Sequence, residues 1–127
     1  MMFNLDHSLR TARLQLLADA INGGSLTLYT APKPAIGAAI TTQTALVVVD
    51  VPTGLTVVDV LLSIALTAPT VLVDGEAAWG RFTSSSAAFV ADGDCGLVGA
   101  SVAFQLKSTF LSAGASLIPI LAQLTEP

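Results

Sequence analysis

Two pairs of acidic residues, Asp74 with Glu76 and Asp92 with Asp94, are the first groups in this chain whose type and spacing could do chemistry. Alternate carboxylates are hard oxygen ligands, and calcium is the cation they would take. A loop of the EF-hand type needs a longer run of oxygen ligands and a closing Glu, and neither pair has them. Each pair instead encloses a glycine, Gly75 or Gly93, so the expectation is Asp at hairpin turns with solvated side chains. His7 is the one histidine, far in sequence from Cys95 and from Ser84-Ser85-Ser86, and no Ser/His/Asp or Cys/His constellation is composed around it. The serine run lacks the flanking glycines of a nucleophile elbow and reads as a polar loop. Gly93, Gly96 and Gly99 are spaced more widely than a dinucleotide fingerprint and do not lie between a strand and a helix. The chain is therefore expected to have no catalytic residues, no cofactor and no metal.

Cys95 is the only cysteine, so it has no intramolecular disulfide partner, and one histidine leaves it without a second soft ligand for zinc. Asp92 and Asp94 beside it would raise the thiol pKa and weaken it as a nucleophile. It is expected to be a small packed residue. Trp79, Arg81 and Phe82 form the most informative local cluster. On a strand, Trp79 and Arg81 share a face and Phe82 points to the other, which would bring the guanidinium near the indole. Packing in a core or between sheets is one role for Trp79; a subunit contact is the other, because Trp and Arg are enriched at such contacts.

The elements that must position these groups begin with one helix. Asp6 or Ser8 can cap it, and Leu9, Ala12, Leu16 and Ala20, with Arg13, Leu17 and Ile21 nearby, recur at helical spacing. Asn22-Gly23-Gly24 ends it. The prediction is a helix over about residues 8–21, whose face of Leu9, Leu16, Leu17 and Ile21 must pack on a sheet or a neighbour. From Ser25 the period falls from 3.6 to 2: Leu26 and Leu28 alternate with Thr27 and Tyr29 until Pro32 and Pro34 interrupt the ladder. The clearest alternation follows at Val58, Val60, Leu62, Ile64 and Leu66. Further strands are predicted near 44–51, 70–73, 77–83, 87–91, 97–106 and 116–124. Turns are predicted at Pro52-Thr53-Gly54, Asp74-Gly75, Asp92-Gly93-Asp94 and Ser112-Ala113-Gly114.

Seven or eight short strands at this spacing predict a mainly β fold, an antiparallel β-sandwich or small barrel with one N-terminal helix. An N-terminal arm over residues 1–7 would precede a single domain over residues 8–127, since 127 residues suit one ordinary core. The net charge of −4 and five scattered basic residues, Arg10, Arg13, Lys33, Arg81 and Lys107, argue against nucleic acid as a partner. No membrane span is expected: Asp50, Pro52, Gly54 and Asp59 interrupt the apolar stretch 46–66, and Gly114 and Pro119 break the uncharged stretch 108–125. The first residues have no basic segment before an apolar one, so no secretory leader is expected and folding belongs to the cytoplasm.

Hydrophobic residues make up 53% of the chain and charged ones 11%, a balance that leaves few groups to keep a lone domain's surface soluble. It suits a subunit of an assembly. The order helix, Asn22-Gly23-Gly24-Ser25-Leu26-Thr27-Leu28-Tyr29-Thr30, a proline-bearing loop, Gly75-Glu76-Ala77-Ala78-Trp79-Gly80-Arg81-Phe82, and Leu111-Ser112-Ala113-Gly114-Ala115 before a last strand resembles a family of small β-sandwich structural proteins of tailed bacteriophages and prophages. The resemblance covers most of the chain, though residues 35–66 are more apolar than its pattern.

That resemblance implies a structural role in the virion, made in the host bacterial cytoplasm. The expectation is a non-enzymatic capsid decoration or cement protein, a minor capsid protein forming a homo-oligomer, such as a trimer, on the major capsid protein. Its candidate interface residues are Met1, Met2, Phe3, Leu5, Trp79 and Arg81. The alternatives are a head-to-tail neck, tail or baseplate component, and a carbohydrate- or receptor-binding module. The last would need exposed aromatics, which amount to only 6% of the chain.

Overall fold

The fold turns on one strand that changes its sense of pairing along its length. The structure is a computed structural model that describes residues 6–52, 57, 61–66, 70–97, 104–106, 108–114 and 120–125. Helix α1 (His7–Ile21) is followed by β1 (Ser25–Tyr29), β2 (Ala45–Asp50), β3 (Leu61–Leu66), β4 (Gly75–Glu76), β5 (Trp79–Thr83), β6 (Phe89–Leu97), β7 (Phe104–Leu106), β8 (Phe110–Leu111) and β9 (Ile120–Thr125). Seven strands form one curled sheet in the order β2-β1-β5-β6-β7-β9-β3, while β4 and β8 make a small second sheet. The first part of β6 pairs antiparallel with β5, and its last residues, Cys95 to Leu97, pair parallel with Phe104 to Leu106 of β7. This is the mainly β architecture with one N-terminal helix expected from the sequence, and it fits a β-sandwich or half-barrel.

Helix α1 starts where the Asp6 carboxylate accepts hydrogen bonds from the Ser8 backbone N–H and hydroxyl. That satisfies one of the orphan donors of the first turn. It stops at Asn22, after which Gly23 takes a φ of 71° and the Gly24 N–H donates to the Ile21 carbonyl. Gly24 then runs so close to β5 that a Cβ there would stand 2.0 Å from the Thr83 carbonyl oxygen, a fit that only glycine allows.

The buried face of α1 differs from the predicted one. Leu14, Ala18 and Ile21 enter the core, with Leu17 at its margin, whereas Leu9 is 50% and Leu16 69% exposed. Apolar residues lie on more than one side of this helix, so periodicity alone leaves the buried stripe undetermined. Leu14→Ala is accordingly expected to cost about 2–5 kcal/mol in denaturant melts, and Leu16→Ala about 0.5 kcal/mol or less.

The main core lies between α1 and one face of the curled sheet, where Leu26 and Leu28 of β1, Val47 and Val49 of β2, Phe82 of β5 and Phe104 of β7 are all buried. Gly80 and Gly93 face one another across β5 and β6. A Cβ on Gly80 would come within 2.9 Å of Leu28 and 3.0 Å of Phe104. The missing side chain is the space those two residues fill, and there the Phe104 ring meets Phe82 edge-on at 5.3 Å.

Three local expectations are corrected. Asp92-Gly93-Asp94 is not a turn but the middle of β6. The reversal between β5 and β6 falls at Ser84 to Ala88, where Ser84 Oγ accepts from the N–H groups of Ser86 and Ala88 and Ala87 takes a φ of 64°. The predicted strand over 70–73 is reduced to a bridge at Thr70 and a Leu72 N–H bond to the Leu46 carbonyl beside β2. Asp74 lies in no hairpin turn; it precedes β4 and accepts from the Ala113 N–H at 2.6 Å, fastening the observed turn at Ala113 and Gly114. The Pro52-Thr53-Gly54 turn and the N-terminal arm lie at least partly outside the described residues.

Candidate functional site

Strand alternation sends Trp79 and Arg81 to the face of the sheet opposite the main core, as their spacing predicts. Two rows of side chains cross β1, β5 and β6 there. Tyr29, Trp79 and Asp94 stand in register, and Thr27, Arg81 and Asp92 stand beside them. On a bare sheet these residues would face water. Instead Trp79 is fully buried and Arg81 is 8% exposed, and residues 31–43, between β1 and β2, return to this face as a strap that meets Asp92, Asp94 and Phe89.

The contacts beneath the strap form a compact polar and aromatic layer. Tyr29 stacks on Trp79 with ring centroids 4.6 Å apart and 17° between planes, a cross-strand aromatic pair. The indole Nε1–H donates to the Thr30 carbonyl at 2.9 Å. Arg81 places its guanidinium carbon 5.2 Å from the centroids of both Trp79 and Phe89, so the cation lies against two aromatic rings. Its Nε and Nη2 donate to the two oxygens of Asp92 at 2.7 and 3.0 Å, a bidentate pair whose side chains are 10% and 5% exposed. Those hydrogen bonds hold the Arg81 guanidinium above its ordinary pKa, against the opposing pull of burial.

The strap itself is tied at few points. Lys33 pairs with Asp94 at 2.8 Å, the Gly37 N–H donates to Asp92 at 3.3 Å, and Gly37 lies over the Phe89 ring. At its neck, Gln43 Nε2 donates to the Pro32 carbonyl, and Gln43 Oε1 accepts from the Thr41 N–H. The Thr30 N–H to Thr44 carbonyl bond, with the Thr44 N–H bond to the Thr30 hydroxyl, closes the neck below them.

The expectation of a solvated aspartate is corrected at 92, which is buried against Arg81, and holds at 94, whose exposed side chain pairs with Lys33. Two carboxylates two residues apart on a strand have been divided between two cations that come from β5 and from the strap. Sequence reasoning missed Asp92 as the partner of Arg81, and Phe89 as its second ring. A signal was present, since Arg81 and Asp92 are equidistant from Ser86 and Ala87, where the hairpin reverses. Met1, Met2, Phe3 and Leu5 lie outside the described residues.

Cys95 follows Asp94 on β6, half-buried at the margin of the main core, with its N–H bonded to the Ala78 carbonyl. Burial, and then the negative charge of Asp94, push its thiol up to about 12. A thiol reagent at pH 8 is therefore expected to label native Cys95 at a small fraction of the rate seen in denaturant; equal rates would show an accessible thiolate. The Ser84 hydroxyl is engaged in the turn and lies within 3.0 Å of the Ser86 hydroxyl. Among the described residues no three His, Cys, Asp or Glu side chains converge as a metal site, and no helix is long and apolar enough to cross a membrane.

No family model matches this chain, and no curated protein or solved structure matches it either.

Proposed function

We propose that this chain is a non-enzymatic structural subunit of a bacteriophage particle, a capsid decoration or cement protein that forms a homo-oligomer, such as a trimer, on the major capsid protein. The observation that carries the reading is the surface. Ile36 is 86% exposed, Phe110 73% and Leu72 62%, and Leu9, Leu16, Val48, Val73, Phe89 and Leu97 are exposed as well. Single exposed apolar residues are ordinary, but this surface has little charge to offset them. Of the five basic and nine acidic residues, Lys33, Arg81, Asp92 and Asp94 already bind one another. Burying such side chains between subunits is favourable at about 25 cal/mol per Å² of apolar area.

The groups that carry chemistry point the same way. Asp92 and Asp94 are in ion pairs, the Cys95 thiol is held protonated, and Ser84 serves a turn. The resemblance of the helix, the Asn22-Gly23-Gly24 exit and the Trp79 strand to the phage structural family supplies the particle. Neither nucleic acid nor membrane is a partner in this reading, and the particle is its location.

The deciding experiment is the copy number of the chain in purified virions, measured by quantitative mass spectrometry against the major capsid protein. On the order of hundreds of copies is expected for decoration of an icosahedral shell, and about a dozen or fewer would place it in a ring at the neck or tail. Absence from the particle would sink the reading.

A further inference from the structure

We propose that the strap over residues 31–43 is a hinged cover, which opens as a unit on a closed neck and uncovers Trp79 and Arg81 while the sheet stays folded. The inference rests on where the bonds lie. The neck is held by the Thr30 and Thr44 backbone bond and by Gln43, which is 9% exposed and bonds both Pro32 and Thr41. A loop whose ends are joined in this way is a compact unit of its own. Beyond the neck, residues 35, 36, 37 and 39 are exposed and Pro34, Ala38 and Ile40 only partly buried, so no fully buried apolar side chain anchors the tip.

Opening also leaves nothing stranded underneath. Arg81 keeps both hydrogen bonds to Asp92, since the pair belongs wholly to β5 and β6. The indole N–H keeps the Thr30 carbonyl, which is part of the neck. Among the described residues, the polar ties that must break are the Gly37 N–H bond of 3.3 Å and the Lys33 to Asp94 pair, whose side chains are 43% and 59% exposed. An ion pair so open to solvent is weak and is screened by salt. The catch is therefore sensitive to salt, whereas the buried pair beneath it is not.

Amide hydrogen exchange on the full-length protein tests this, comparing wild type with Lys33→Ala in about 0.05 M and about 1 M salt. The Gly37 amide is expected to exchange about two- to fivefold faster in Lys33→Ala at low salt, and wild type is expected to approach the variant at high salt. Amides of Leu28 and Phe82 should hold their protection in every condition, which separates strap opening from global unfolding. Acrylamide quenching of the single tryptophan should rise in parallel with Gly37 exchange. Gly37 exchange unchanged by both substitution and salt would overturn the proposal. So would loss of protection at Gly37 and Phe82 together by the same factor.

Discussion

Asp92→Ala is expected to destabilise the fold by about 3–5 kcal/mol, because it leaves the Arg81 guanidinium buried beneath the strap without its carboxylate. The cost belongs to the stranded charge rather than to the worth of the pair. Replacing both members together, as Arg81→Met with Asp92→Leu, should therefore recover most of the loss. Asp92→Asn retains an acceptor and should fall between wild type and alanine. Urea melts of wild type and the three variants check this. If Asp92→Ala and the double replacement were equally unstable, the damage would lie in packing around the rings and not in the charge.

The second large effect is Trp79→Ala, expected to cost about 3–5 kcal/mol by emptying a fully buried site. Because Trp79 lies on the strap side of the sheet, the cavity would open under residues 31–43 and not in the main core. Trp79→Phe keeps a ring to stack on Tyr29 but loses the Nε1–H bond to Thr30, and should cost less. Calorimetry or circular dichroism must be the readout, since this is the only tryptophan. A loss below about 1 kcal/mol for Trp79→Ala would show that the strap collapses onto the vacated space.

Features governed by near neighbours were legible in the sequence, and features governed by distant ones were not. The helix was readable because its signals are local: Asp6 caps it, and Gly23 takes the left-handed conformation one residue beyond its C-cap. β1 was readable from the alternation of Leu26 and Leu28 with Thr27 and Tyr29, and the shared face of Trp79 and Arg81 follows from strand geometry alone. The Asp92-Gly93-Asp94 segment misleads because local turn chemistry fits it well. Its aspartates are held in a strand by Arg81 on the neighbouring strand and by Lys33 from a loop some sixty residues earlier. The β5 to β6 reversal, conversely, contains no glycine and is built from a serine hydroxyl and an alanine at positive φ. Leu14 was missed as a core residue because Leu16 and Leu9 offer an equally apolar stripe, and only the position of β3 and β6 against the helix decides between them.

The place of β3 in the sheet has a consequence during synthesis. Its sole strand partner among the described elements is β9, and Leu61 to Leu66 pair with residues translated roughly sixty positions later, a long-range closure of the kind that slows folding. At about 5–20 residues per second, the Leu-Leu-Ser-Ile-Ala-Leu segment waits several seconds on the ribosome before its complement exists. In that interval it is an apolar strand with two unsatisfied edges, the form in which nascent chains pair with the wrong neighbour. Two nascent copies could pair there, so the yield of folded protein should depend on translation speed and on chaperones that shield β3.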